Sequence, residues 1–126
     1  MNIISQINNW GWEDCSLVKI DISYDNISIE ISDDENRHQV FIQCDEFIGF
    51  EFIGNWDECF IERVEVSEQG KLIEKSIEKV KKCYGNNTNI PGMKKDIKGR
   101  WYQLSITLID GVILDIACGN IKIQKN

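Results

Sequence analysis

From Leu17 onward the chain alternates apolar and polar residues. Val18, Ile20, Ile22 and Tyr24 stand against Lys19, Asp21 and Ser23, the period of a strand with one buried face. Asp25-Asn26 supplies two residues tolerant of left-handed backbone, and Ile27-Ser28-Ile29-Glu30-Ile31 resumes the alternation, which predicts a hairpin. A charged loop follows at Ser32–His38; Val40, Ile42 and Cys44 then alternate, and Phe47–Ile53 predicts another strand, broken by Gly49 and closed by Gly54-Asn55. Ile61, Val64 and Val66 predict a short strand whose out-of-phase start implies a bulge or an irregular start.

The period changes at Lys71. Ile73, Ile77, Val80 and Tyr84 fall on one stripe of an amphipathic helix, with Lys71, Lys75, Lys79 and Lys82 on its other side, and Gly85-Asn86-Asn87 stops it. Residues 86–99 are polar, hold the one proline, and predict a long loop. Beyond it Tyr102, Leu104, Ile106 and Leu108 alternate, Asp110-Gly111 turns, Val112, Leu114, Ile116 and Cys118 return, and Gly119-Asn120 precedes Ile121-Lys122-Ile123: a three-stranded meander. The first fourteen residues have room for a short helix and a turn. The expected fold is one α+β domain over residues 1–126, an antiparallel sheet of about six to seven strands with one main amphipathic helix packed on it.

Composition adds limits. A chain of 126 residues with 42% hydrophobic residues is one domain with one core. The amino terminus lacks a basic and apolar leader, and no apolar run approaches the roughly 20 residues of a membrane span, so a cytoplasmic protein is expected. Five scattered cysteines without a Cys-x-x-Cys pair fit buried thiols in a reducing compartment. The net charge of −7 is unevenly spread: residues 1–70 carry 16 Asp/Glu against 3 Lys/Arg, residues 71–100 carry 3 against 9, and residues 101–126 carry 2 of each. An acidic half of this size repels nucleic acid and anionic membrane and attracts a basic protein.

Catalytic chemistry has little to stand on. His38 is the one histidine, sits in an acidic loop, and reads as a solvated side chain; no nucleophile–base pair, metal spacing, calcium loop or phosphate-binding glycine loop is present, so no enzyme activity, cofactor or metal is expected. Paired carboxylates would suffice for a hydrolase, yet nothing singles out a pair. The lysine face of the helix, with Glu74 and Glu78 in reach, reads as a solvated face before it reads as an RNA patch. Acids beside large rings are another matter. Asp33, Asp34 and Glu35, then Asp45 and Glu46, then Trp56, Asp57 and Glu58 make a candidate interface for a cationic protein, with aromatic anchors rimmed by charge.

With Trp56-Asp57-Glu58, the meander from Trp101–Leu108 through Asp110-Gly111 to Val112–Ile123, and no catalytic set, the acidic chain resembles the small immunity proteins of bacterial polymorphic toxin and contact-dependent growth inhibition systems. The resemblance implies a cytoplasmic protein that binds and neutralises a cognate toxin domain, often a nuclease such as a tRNase, with the eight residues above as its contacts. A nuclease must present lysine and arginine to phosphate, which an acidic inhibitor exploits. The alternative is a small-molecule-binding or regulatory β-module whose pocket, between sheet and helix, is lined by Tyr84, Trp101 and Tyr102.

Overall fold

The computed structural model describes residues 2–34, 37–56, 59–85 and 97–125. Its elements run α1 (Ile3–Asn8), β1 (Cys15–Ile22), β2 (Asn26–Asp33), β3 (His38–Ile53), β4 (Ile61–Ser67), α2 (Lys71–Tyr84), β5 (Tyr102–Leu108) and β6 (Ile113–Lys125). The strands form one antiparallel sheet in the order β1-β2-β3-β6-β5-β4. The architecture is therefore sheet-dominated α+β with two helices, the short α1 in the segment that had room for one and the main helix α2.

The sheet curls until its edges touch. Ser16 of β1 bridges Phe60, just ahead of β4, and the Leu17 N–H donates to the Cys59 carbonyl at 2.7 Å. The side chains of alternate positions in β2, β3, β5 and β6, among them Ile29, Ile42, Ile106 and Ile116, are fully buried together with Leu17. Helix α1 packs on this core against β4 and β6 through Ile7, and the indole Nε1–H of Trp12 donates to the Ile7 carbonyl at 2.9 Å, so the turn after α1 is tied back to the helix. A second cluster, Leu72, Ile73, Ile97, Trp101 and Ala117, joins α2 to β3, β6 and β5. Here Gly49 lies so close to α2 that a Cβ would meet Ser76 Oγ at 2.1 Å.

Several sequence expectations change. In β1 a bulge between Leu17 and Lys19 shifts the phase, so Cys15 and Leu17 are buried before it, Val18 is 49% exposed and Ile20 packs on the core after it, while Tyr24, beyond the strand, is 87% exposed. Gly49 does not end a strand: β3 runs through it for 16 residues, with a bulge between Phe47 and Gly49 and a left-handed Glu46 (φ 53°). Gly119-Asn120 is no turn either. Asn120 pairs with Asp45, and β6 is one strand of 13 residues, so the expected meander is a hairpin with one long arm. On α2 the expected apolar stripe is buried at Ile73 and fades along the helix, Tyr84 being exposed where the helix leaves the sheet.

The α2 N-terminus shows how the sequence solves an orphaned helix end. Gly70 offers no side-chain cap, and the Gln103 side chain on β5 accepts instead, from Leu72 N–H at 3.1 Å and Ile73 N–H at 3.3 Å. At the other end Gly85 takes φ 70°, a left-handed stop.

Candidate functional site

The start of β1 organises one end of the molecule. Asp14 adopts left-handed backbone (φ 62°), a conformation aspartate tolerates better than most residues, and its carbonyl accepts from the Asp34 N–H at 3.4 Å. Cys15 stands opposite Asp33 across the β1–β2 pair. Burial first, and then the negative fields of Asp33, Asp34 and Asp14, push the Cys15 thiol up to about 11. Three acids thus stand around the start of β1, Asp33 opposite Cys15, Asp14 next to it in the chain and Asp34 bonded to Asp14 through the backbone, and a fourth acid, Glu13, adjoins them in the chain. Asp33 is only 5% exposed, whereas Asp34 reaches solvent and accepts from the Ser32 hydroxyl at 2.9 Å.

Exposed apolar side chains gather where β3 ends and the β5–β6 hairpin turns, and they meet the start of β1 through Phe60. Phe60 bridges Ser16 and accepts through its carbonyl from the Ile109 N–H at 3.0 Å; Ile53 and Ile113 pair across β3 and β6. All four side chains are exposed, Ile53 at 75%. Trp56 is 38% exposed and its ring sits 6.0 Å from that of Phe52. Large apolar side chains left in water at one end of a sheet are the usual mark of an interaction surface.

The predicted contacts are gathered only in part. Asp33 and Asp34 flank the start of β1 on one side, and Cys59 and Phe60 reach it on the other, while Trp56 sits near Phe52 at the end of β3. Asp45 and Glu46 lie elsewhere. Asp45 pairs with Asn26, at the far end of β2 from Asp33, about 23 Å away at roughly 3.3 Å per residue. It is also neutralised locally, by Lys122 Nζ at 3.6 Å, and accepts from Gln43 Nε2 at 2.8 Å. Glu35, Asp57 and Glu58 lie outside the described residues.

Other acids of the first half are paired as well: Asp21 with Lys19, Glu51 with Lys75, Glu65 with Arg63 and Glu68 with Arg100, at 3.0–3.3 Å. Among the described residues of this half Glu13, Asp14, Asp25, Glu30, Asp34 and Glu62 carry no ion pair. Sequence reasoning passed over Ile53, Phe60, Ile109 and Ile113. Ile113 offered a signal, since it stands on the polar side of the Val112, Leu114, Ile116 alternation. The other proposed lining, Tyr84, Trp101 and Tyr102, is not brought together: Trp101 is buried under α2, Tyr102 packs on the opposite core, and Tyr84 is exposed. No helix among the described residues is long and apolar enough to cross a membrane.

No protein-family model matches the chain, and no curated protein matches it. A crystal structure of an uncharacterized protein from Neisseria gonorrhoeae aligns with 89% of this chain and 91% of its own, at 13% identity and a TM-score of 0.44.

Proposed function

We propose that the protein is a binding module of the immunity type, which captures a cationic toxin domain in the cytoplasm and blocks it, the toxin being one that must hold phosphate, such as a tRNA-cleaving nuclease. The observation that carries this reading is the pair of acids without an ion pair at the start of β1, Asp14 and Asp34, joined through the Asp34 N–H and the Asp14 carbonyl, on the strand whose Ser16 bridges the exposed Phe60. An uncompensated negative field accelerates encounter with a positive surface, and apolar side chains next to it supply the contact area that holds the complex. The finer contact set is then Glu13, Asp34, Trp56 and Phe60, with α2 as a support behind the sheet and not as the contact face.

The test is co-expression with the protein encoded immediately upstream, read as growth of a bacterial host, followed by stopped-flow association of the purified pair. Rescue of growth and an association rate that drops roughly tenfold in Glu13→Lys/Asp34→Lys at low salt are expected. No rescue, or the same rate in the double variant, would overturn the proposal.

A further inference from the structure

β4 is the last strand of the sheet, and an open strand edge invites pairing unless something covers it. Two devices cover this one among the described residues. At its start Phe60 bridges Ser16. Near its end the Asn8 carboxamide imitates a strand: Nδ2 donates to the Val66 carbonyl at 3.2 Å and Oδ1 accepts from the Val66 N–H at 2.8 Å.

Those two bonds set the parity of the edge. Val66 turns its N–H and C=O away from β5, so Val64, two residues earlier and opposite Ile106, does the same. Neither group of Val64 meets a partner among the described residues. They open into a cleft of about 470 Å³, walled by Trp10, Trp12 and Glu13 on one side and Glu62, Arg63 and Glu65 on the other. Arg63 is held by Glu65 at 3.3 Å and Lys125 Nζ lies 5.8 Å over the Trp10 ring, while Glu13 and Glu62 make no ion pair. Glu62 is the extra residue of the bulge between Ile61 and Arg63, which pulls it out of the ladder to β5.

We propose that this window is a strand-addition site for an extended lysine- or arginine-bearing segment of a partner protein. The inference rests on the cationic-partner reading above and names how part of such a partner is gripped. A strand laid about 4.8 Å outside β4 would bond to Val64 through its backbone, while its basic side chains reach Glu13 and Glu62 and its apolar ones meet the indoles. A second copy of this chain fits poorly there, because it would set Glu13 and Glu62 of one copy against the same acids of the other, in a chain of net charge −7.

The probe is an acetylated and amidated heptapeptide of alternating lysine and valine, compared with the same peptide N-methylated at its central residues. Heteronuclear NMR of the full chain should show saturable shifts at Val64 below about 1 mM peptide, hydrogen exchange at the Val64 amide slowed, and affinity lowered at least about tenfold by N-methylation. Glu13→Gln/Glu62→Gln, two exposed positions whose change spares the core, should weaken binding about as much. No shift at Val64, or equal binding of the N-methylated peptide, would overturn strand addition. Equal binding lost on Glu13→Gln/Glu62→Gln would overturn it while leaving the acidic-surface reading intact. Failure of the growth rescue with Val64 still protected by the peptide would separate the two in the other direction. Dimers seen by sedimentation that disappear when the peptide is added would identify the second copy as occupant and overturn the proposal.

Discussion

Gly49 shows how a single residue can carry an interface within the molecule. A methyl group there would meet Ser76 Oγ at 2.1 Å and Leu72 Cδ1 at 3.2 Å, and both partners are themselves buried. Gly49→Ala should therefore cost roughly 1–3 kcal/mol in urea denaturation, and Ser76→Gly in the same chain should recover part of it, a coupling that a double-mutant cycle measures. Cys15 offers a second test at this scale. Its folded thiol titrates near 11 against an ordinary 9.0, so above pH 9 the unfolded chain loses a proton that the folded chain keeps. The linked stability is fully present below pH 9 and should fall by about 1–2 kcal/mol as pH rises to 11. The Cys44 thiol, raised by its hydrogen bond with Cys118 and by burial, adds a slope of the same sign, so Cys15→Ala should make the slope shallower without abolishing it while the exposed Cys83 still alkylates readily, and a slope unchanged in Cys15→Ala would place its origin elsewhere.

At the scale of elements, side chains finish what the backbone leaves open. Gln103 reaches from β5 to cap α2, and Asn8 reaches from α1 to pair with Val66 on β4. Removing either leaves donors and acceptors at an element's end without partners. Asn8→Ala should cost about 1 kcal/mol and speed hydrogen exchange at Val66 more than at residues of β5, while Gln103→Ala should do the same at Leu72 and Ile73. Uniform acceleration through the sheet would contradict this local account. Neither device was legible in the sequence, because each links residues far apart in the chain. What was legible was whatever depends on near neighbours: β2 with its strict alternation, the extent of α2 with its Gly85 stop, and the turn at Asp110-Gly111. Gly49 and Gly119 misled for one reason: each sits inside a long strand, Gly49 where it makes room for a helix and Gly119 where β3 continues to pair alongside.

For the whole molecule the decisive event is the curl of the sheet, since it brings the start of β1 against the approach to β4 and so sets Phe60 on one edge of β1 while Asp34 stands on the other. The acidic bias of the first half was plain in the sequence; how much of it survives folding was not, because five of its ion pairs are made with bases from β1, β4, β6, α2 and the segment before β5. Exposed pairs of this kind add only about 0–1 kcal/mol each to stability, yet they cancel the field that steers a partner. The consequence can be measured as a difference between two acids that the sequence treats alike. Asp34 stands in the uncompensated ground, whereas Asp45 is paired with Lys122 at the other end of β2, about 23 Å off, well beyond the Debye length of roughly 8 Å at physiological ionic strength. Reversing Asp34 to lysine should slow association with a cationic partner several-fold at low salt, with the effect fading as salt is added, because the lost attraction acts before contact. Reversing Asp45 should instead release Lys122 and change the rate by less than about twofold at any salt concentration. Equal effects of the two substitutions would mean that the attraction belongs to the net charge of the chain and not to the end of the sheet where β1 begins.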